Sequence, residues 1–260
     1  MKRYLRAALG GVLATLLLGA CGSALAGASA TAATAAGPSK TVVSMTFDDG
    51  NADNFAVAAV LKQYGLHATW YIPSGLVGRP AYMTWEQLQA LQNDGNEVGG
   101  HGLDHVNIGA LSPPDLRHQV CDDRKNLMDH GFTPASFAYP FGGYSPAAKA
   151  MVRDCGYSDA RTIAAGPEDI AASDPYALRA LPYIVTDTDF PKLQRYVTGT
   201  RQESGGWVIL IFHHVCDSCD YYAVKPDILD RFIRWLAEQQ SLRRLSVMTV
   251  GEVVRQEALP

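Results

Sequence analysis

Short apolar runs and longer helix-like segments alternate along the chain from position 41 onward. The apolar runs are rich in Val, Ile, Thr and aromatic residues, which is typical of strands. The predicted strands are TVVSMTF, ATWYI, NEVGG, SFAYPF, SDARTI, ALPYIV, WVILIF and LSVMTV. Strands and helices that alternate at this spacing predict a parallel sheet of the α/β class. Seven or eight such units favour closure into a barrel over an open sheet.

The predicted helices have recognisable ends. Thr84 with Gln87 resembles a capping box, and a serine followed by a proline at 112–113 marks another helix start. One long helix is expected over residues 112–131. Four glycines are expected to end helices: Gly65, Gly95, Gly131 and Gly156.

The N-terminus differs in composition from the rest. Lys2, Arg3 and Arg6 precede an apolar stretch of 14 residues, Ala7 to Ala20. This stretch is too short to span a bilayer as a helix and is typical of a signal peptide. We therefore expect the protein to be exported.

Two cleavage sites compete in this leader. LGAC resembles a bacterial lipobox in which Cys21 becomes the lipidated N-terminus, whereas ALAG at 24–27 offers ordinary secretion. The lipobox directly follows the apolar core, which favours residues 1–21 as a signal peptide. The mature protein would then be held by a lipid anchor on the outer face of the membrane. Residues 22–40 then predict a flexible Ala/Gly/Ser-rich tether, and residues 41–260 one folded domain.

The net charge of the chain limits the kinds of partner that we expect. The chain has 22 basic and 26 acidic residues, and removal of three leader cations leaves 19 against 26, a net charge of −7. Without a basic run, nucleic acid is not an expected partner.

Outside the cytosol, the four remaining cysteines favour disulfides, with Cys216–Cys219 as the local pair and Cys121–Cys155 as the other. The alternative is a structural zinc site, although the second pair lacks C-x-x-C spacing.

Polar residues follow several predicted strands directly, where α/β folds place their chemistry. Asp48 and Asp49 follow the first strand, HGLDH with His101 and His105 follows NEVGG, and two histidines at 213–214 follow WVILIF. His101 and His105 are four residues apart, so in a helical turn both imidazole rings would project from the same face, as a metal site needs. Two imidazoles and one carboxylate make a three-ligand site for zinc or a related ion. Asp49 would then bind the cation, and Asp48 would accept a proton from water.

These motifs resemble those of the polysaccharide deacetylase family (NodB homology, carbohydrate esterase family four). TFDDG, HGLDH, YPFG and ILIFH are similar to its motifs, and HATWYIPSG is similar to its second strand; the resemblance spans 42–254. It implies a distorted (β/α) barrel of about seven units. It also implies metal-dependent removal of acetyl groups from N- or O-acetylated sugars.

The resemblance further implies a role for each site residue. Asp48 would be the general base and His213 the general acid, and the Phe141 backbone N–H would stabilise the oxyanion. The metal, most fittingly Zn²⁺, would be bound by Asp49, His101 and His105. Substrate contacts are expected from Tyr139, Pro140, Arg161 and Ile211, with Ile211 beside the acetyl methyl group.

The sequence departs from the family pattern at three places. Gly102 replaces the hydroxyl residue that usually follows the first histidine, and Ala138 stands where an arginine often pairs with the base. The fourth motif, which orients the catalytic histidine, has no clear match. Arg161 could supply the missing guanidinium or could be a surface residue beside a strand. The YPFG form is closer to deacetylases of β-1,6-linked N-acetylglucosamine polymers.

The two histidines after WVILIF need separate assignments. Strand alternation places His213 with Ile211 and the next histidine on the opposite face, but both faces are apolar. The resemblance selects His213 as the inward residue, and His214 is expected to face the helices or a loop near CDSC.

We therefore expect a monomeric, exported and lipid-anchored deacetylase that acts on an N-acetylglucosamine-containing polysaccharide. The alternatives are an O-deacetylase of acetylated xylan-type glycans and a catalytically silent glycan-binding envelope protein on the same fold.

Overall fold

The computed structural model describes residues 41–181, 183–199 and 206–257. The predicted signal peptide and tether, residues 1–40 with the lipidation candidate Cys21, lie outside the described residues. In the part of the chain that the structure describes, no helix has both the length and the apolar character needed to cross a membrane.

Seven parallel strands form a sheet that is nearly closed into a barrel. Their order around the sheet is β7-β1-β2-β3-β4-β5-β6, and every neighbouring pair is parallel. The strands are β1 Thr41–Phe47, β2 Thr69–Ile72, β3 Glu97–Gly100, β4 Ser136–Ala138, β5 Asp159–Ala165, β6 Leu178–Ala180 and β7 Gly206–Phe212. Three two-residue strands complete the set: β8 His214–Val215, β9 Ala223–Val224 and β10 Ser246–Val247. The expected barrel is thus confirmed.

The gap between β6 and β7 is bridged without a regular ladder. The Leu181 N–H donates to the Ile209 carbonyl at 2.9 Å, and the Ile184 N–H donates to the Ile211 carbonyl at 3.3 Å. The ALPYIV segment was expected to be a strand, but the strand lies earlier, at Leu178–Ala180. The closing segment therefore satisfies backbone groups of β7 while it remains irregular.

Helices surround the sheet, and their ends follow the predicted signals. They are α1 Val57–Tyr64, α2 Trp85–Asn93, α3 Pro113–Arg117, α4 Asp123–Asp129, α5 Pro146–Asp154, α6 Phe190–Thr198, α7 Pro226–Ser241 and α8 Val250–Glu257. Thr84 and Gln87 form a reciprocal capping box, and Ser112 accepts a hydrogen bond from the Asp115 N–H. The four predicted glycines each follow a helix with positive φ. A second capping box, between Thr249 and Glu252, begins α8 and leaves only Ser246–Val247 of LSVMTV as strand.

The single helix predicted over 112–131 is divided. A π-helical segment, His118–Asp122, joins α3 to α4. Cys121 lies in this segment and forms a disulfide with Cys155, the residue that ends α5, with Cα atoms 5.0 Å apart. Cys216 and Cys219 form the second disulfide. Both expected pairs are therefore present, and no cysteine of the described chain is left for the alternative zinc site.

Strands β1 and β7 form a ribbon in which all seven residue pairs are in register, from Thr41 with Gly206 to Phe47 with Phe212. Every residue of both strands is buried. Phe47 and Phe212 stack 5.2 Å apart in the layer between sheet and helices. The next residues, at positions 48 and 213, therefore emerge side by side at the carboxyl edge of the sheet.

Candidate active site

An open pocket of about 270 Å³ lies at the carboxyl ends of the strands. Eight residues predicted for the site line it: Asp48, Asp49, His101, His105, Tyr139, Phe141, Arg161 and His213. Pro140 and Ile211 do not. Ile211 is 1% exposed and packs in a buried cluster with Trp207 and Ile209, so its expected place beside an acetyl methyl group is wrong. Pro140 is also buried. It packs close to Gly102, because a Cβ atom added to that glycine would lie 3.4 Å from the Pro140 Cγ.

The carboxylate of Asp48 is buried and surrounded by cations or potential cations. Asp48 is 3% exposed, and its Oδ2 accepts a hydrogen bond from Arg161 Nη2 at 2.5 Å. The Nε2 atoms of His101 and His213 each lie 4.0 Å from the same oxygen. Oδ1 of Asp48 accepts no hydrogen bond from any described residue. One oxygen is therefore fixed by the guanidinium, and the other remains available to an incoming proton.

The three expected metal ligands converge on one point. Asp49 Oδ1 lies 3.4 Å from His101 Nε2 and 3.1 Å from His105 Nε2, and one ligand atom from each residue lies within 4.8 Å of the others. Despite these distances, Asp49 Oδ1 is buried without a well-oriented hydrogen bond from the described residues. Asp49 Oδ1 and the two Nε2 atoms lie this close without a hydrogen bond between them, an arrangement suited to one cation bound by all three atoms. The carboxylate and two imidazoles are a donor set of the kind that zinc accepts.

The carboxylates and imidazoles of this cluster shift one another's pKa values. Burial by itself raises the pKa of Asp49, but the neighbouring His101 and His105 outweigh it and hold the pKa well below its usual range. Burial lowers the pKa of His101, yet Asp49 and Asp48 reverse that effect and raise it. The Ala138 carbonyl lies 2.8 Å from His101 Nδ1, so Nδ1 donates and Nε2 faces the cluster. The residues present therefore fit a divalent metal ion.

The backbone that presents these ligands is not helical, so the expected helical turn between the two histidines is wrong. His105 has φ 53° and Gly102 has φ 74°, and residues between them form an irregular loop. Two left-handed residues reverse the chain and bring the rings to 4.8 Å. Gln119 holds this loop, because its carbonyl accepts from the Leu103 N–H at 3.0 Å. The left-handed backbone at Gly102 explains a glycine where the family has a hydroxyl residue.

Arg161 supplies the guanidinium that Ala138 lacks. The two residues are partners in the register of β4 and β5, so the arginine comes from the strand next to the one where the family places it. Arg161 is 1% exposed, and its Cζ lies 5.2 Å from the centre of the Tyr71 ring. The alternative of a surface arginine is therefore wrong.

Phe141 and Tyr139 have different environments although both line the pocket. Phe141 has φ 56°, is 61% exposed and packs its ring 4.6 Å from that of His105. The Tyr139 hydroxyl donates to the Tyr176 carbonyl at 3.0 Å, and burial raises the pKa of Tyr139. The hydroxyl of Tyr139 is thus committed to the fold rather than to a ligand. Left-handed φ at a bulky residue such as Phe141 is strained and is often found at functional sites.

Both histidines after β7 line the pocket, which differs from the expectation that His214 faces away. The strand ends at Phe212, so the alternation of faces stops before either histidine. The His213 ring packs beside those of Tyr183 and Tyr222, at 5.7 and 5.3 Å, and burial lowers the pKa of His213. Its Nδ1 has no hydrogen-bond partner among the described residues, in agreement with the unmatched fourth motif.

His214 has a partner that the sequence did not indicate. Its Nδ1 lies 2.7 Å from Asp53 Oδ2, and its backbone N–H donates to the Tyr222 carbonyl at 3.3 Å. Asp53, Tyr183 and Tyr222 had no motif or spacing that marked them. Only the proximity of Asp53 to TFDDG could have drawn attention to it.

Comparison with known proteins agrees with this site. Residues 35–160 match the polysaccharide deacetylase family. YxkH of Bacillus subtilis (strain 168) is 31% identical over 147 residues, which cover 55% of this chain and 51% of that protein. The peptidoglycan-N-acetylglucosamine deacetylase of Bacillus cereus is 26% identical over 118 residues, covering 45% of this chain and 54% of that protein. The chain thus spans about half the length of these relatives.

Solved structures share the fold. A family 4 acetyl xylan esterase from Clostridium thermocellum, in complex with a cobalt ion, has a TM-score of 0.61 at 19% identity; the match covers 85% of this chain and 93% of that one. The Streptococcus pyogenes deacetylase PplD, in complex with acetate, has a TM-score of 0.55 at 24% identity, covering 62% and 72%. The nearly closed parallel barrel is thus a fold that these proteins share. Over residues 35–160 the chain therefore matches the polysaccharide deacetylase family, and it carries motifs similar to those of that family.

Proposed function

We propose that this protein is a metal-dependent deacetylase that hydrolyses N-acetyl groups of an N-acetylglucosamine-containing polysaccharide. The observation that carries the proposal is the convergence of Asp49, His101 and His105 beside the Asp48–Arg161 pair. Relatives named as peptidoglycan deacetylases support the substrate class.

The chain's own residues have distinct roles in this reaction. A divalent cation, most fittingly zinc, would be held by Asp49, His101 and His105, and would supply Lewis acidity to the acetyl carbonyl and to water. Asp48, whose Oδ2 is held by Arg161, accepts the proton of the attacking water. Oxygen then bonds to the acetyl carbon, the carbon–nitrogen bond breaks, and acetate and an amine form.

Two further groups complete the chemistry. His213 Nε2 lies 4.0 Å from Asp48 Oδ2, and in this proposal it donates a proton to the leaving nitrogen. The backbone N–H of Phe141 donates to the carbonyl oxygen as negative charge develops there. Phe141 lines the pocket and has a left-handed backbone, which supports this role.

Acetate release from a panel of substrates tests the proposal. The panel contains N-acetylglucosamine oligomers, poly-N-acetylglucosamine, peptidoglycan and acetylated xylan, each with and without a chelator. We expect chelator-sensitive release from the N-acetylated substrates. Release from acetylated xylan alone would support the O-deacetylase alternative, and binding without release from any substrate would support a silent glycan-binding protein.

We further propose that the protein is exported and lipid-anchored through Cys21. Two disulfides in the folded domain support an oxidising compartment. Cys21→Ser should move the protein from the membrane fraction to the soluble fraction without a change in specific activity. Wild-type protein free in the medium, beginning near Gly27, would show ordinary secretion instead.

A further inference from the structure

The segment from His214 to Tyr222 forms a wall of the pocket that no catalytic role explains. It leaves the barrel after β7 and returns through β9, and the Cys216–Cys219 disulfide closes its tip. The Cys216 N–H donates to the Val224 carbonyl at 3.0 Å. The wall is therefore held at its base and across its tip.

Two aromatic rings continue the pocket outward along this wall. The Tyr222 ring lies 5.3 Å from that of His213, and the Tyr221 ring lies 5.0 Å further, in an edge-on contact with Tyr222. Tyr221 is 68% exposed, and Tyr222 is 39% exposed. A single exposed tyrosine needs no explanation, but a row of rings that begins at a candidate catalytic histidine does.

Hydrogen bonds fix the backbone that carries the two rings. The carbonyl of Tyr221 accepts from both the N–H and the hydroxyl of Thr186, at 3.0 and 2.9 Å. Asp220 accepts from the Tyr222 N–H at 2.8 Å through Oδ1. On a fixed backbone, a tyrosine has only two side-chain torsions left to order when it binds a ligand, which is the usual advantage of tyrosine at binding surfaces.

Polar groups lie beside the rings. Asp220 and His214 both line the pocket, and His214 is oriented by Asp53 at 2.7 Å. If Nδ1 donates to Asp53, then Nε2 is an acceptor. Aromatic faces next to a carboxylate and an oriented imidazole suit a ligand with one apolar face and hydroxyl groups at its edge, which is the chemistry of a sugar ring.

We infer that Tyr221 and Tyr222, with Asp220 and His214, form a sugar-binding rim outside the catalytic pocket. This tyrosine rim binds a sugar unit adjacent to the one whose acetyl group enters the pocket. The inference rests on the proposed function for the identity of the ligand. It makes the substrate a chain of sugars rather than a single N-acetylated sugar, and it makes Tyr221 a residue that determines chain-length preference.

Calorimetric titration of the full chain, loaded with zinc and carrying Asp48→Asn to prevent turnover, tests the rim. The ligands are N-acetylglucosamine and its β-1,4- and β-1,6-linked tetramers. Adding Tyr221→Ala should weaken tetramer binding about tenfold, the scale of one lost stacking contact, and leave monomer binding unchanged. Tyr221→Phe keeps the ring and should bind normally. Leu242→Ala, which removes another exposed apolar side chain just after α7, is the matched control.

The outcomes separate the rim from the proposed reaction. Equal tetramer affinity with and without the Tyr221 ring, or no tetramer binding at all, would overturn the rim. Tyr221-dependent binding by a protein that releases no acetate would leave the rim in place and contradict the deacetylase. Acetate release from wild type, with the same kcat/KM for tetramer in wild type and Tyr221→Ala, would contradict the rim and keep the deacetylase.

Discussion

Arg161→Met tests whether the buried guanidinium replaces the family's usual arginine. Arg161 and Asp48 are 1% and 3% exposed, and their closest atoms are 2.5 Å apart. Removal of one partner from a buried ion pair leaves an uncompensated charge and typically costs about 3–5 kcal/mol. We expect the free energy of unfolding to fall by about that amount, measured by denaturant titration. Methionine retains much of the packing over Tyr71, so the decrease in the free energy of unfolding comes mainly from the lost charge.

The same substitution should reduce activity for an electrostatic reason. Arg161 holds Oδ2 of Asp48, so its removal should leave the proposed proton acceptor unpaired and poorly oriented. A positioned base typically contributes about 100- to 10,000-fold, and we expect kcat/KM for acetate release to fall by about 100-fold at neutral pH. Arg161→Lys retains the charge and should keep more of the activity than Arg161→Met.

A double-mutant cycle with Asp48→Asn separates this pair from general damage to the core. If the two groups act as a pair, the double variant should be less destabilised than the sum of the single variants, by at least about 1 kcal/mol. Additive losses would show that Arg161 stabilises the barrel independently of Asp48. Wild-type activity in Arg161→Met would refute the assignment.

Three other outcomes concern the metal, the two histidines and the longer disulfide. Asp49→Ala should lose the divalent cation in elemental analysis and lose activity, whereas full occupancy with full activity would exclude this ligand set. His213→Ala should lower kcat about 100- to 10,000-fold with metal and fold retained, and His214→Ala should lose far less; the opposite order would exchange their roles. Replacement of Cys121 and Cys155 by serine opens a link across 34 residues and should lower the free energy of unfolding by about 2–4 kcal/mol; an unchanged denaturation midpoint would contradict it.

The sequence predicted the strands inside the barrel better than the segment that closes the barrel between β6 and β7. TVVSMTF is a continuous buried run, and its strand has the predicted bounds, Thr41–Phe47. The ALPYIV run has similar composition, but its backbone groups pair with β7 outside a regular ladder. Composition reports burial, and both segments are mostly buried or partly buried. It does not report whether a neighbouring strand offers a matching row of partners.

The candidate site was predictable where its residues lie at strand ends. Asp48 and Asp49 follow β1 directly, so the edge on which they emerge follows from the fold. The conformation between His101 and His105 was not predictable from spacing, because a loop with two left-handed residues can bring positions four apart together as well as a helical turn can. The functional expectation remained the same although its structural reason was wrong.

Long-range partners were the least accessible to sequence reasoning. Arg161 lies 113 residues from Asp48, and only the register of β4 with β5 places it in the space beside Ala138. Asp53 and His214 are 161 residues apart and belong to no shared motif. Such pairs depend on loop geometry and strand register, which a single sequence specifies only through the whole fold.

The ribbon of β1 and β7 has a consequence for how the site could change during evolution. Asp48 and His213 directly follow the two strands of this ribbon, and the Asp48 N–H donates to the Phe212 carbonyl at 2.9 Å. His101 and His105 lie instead on a loop beyond β3. Substitutions or insertions in that loop can therefore alter two of the three proposed metal ligands while the spacing of Asp48 and His213 is maintained. Asp49 is different, because it directly follows Asp48 and is tied to the ribbon. Changes in the proposed metal site through the two histidines need not rebuild the pair proposed for proton transfer.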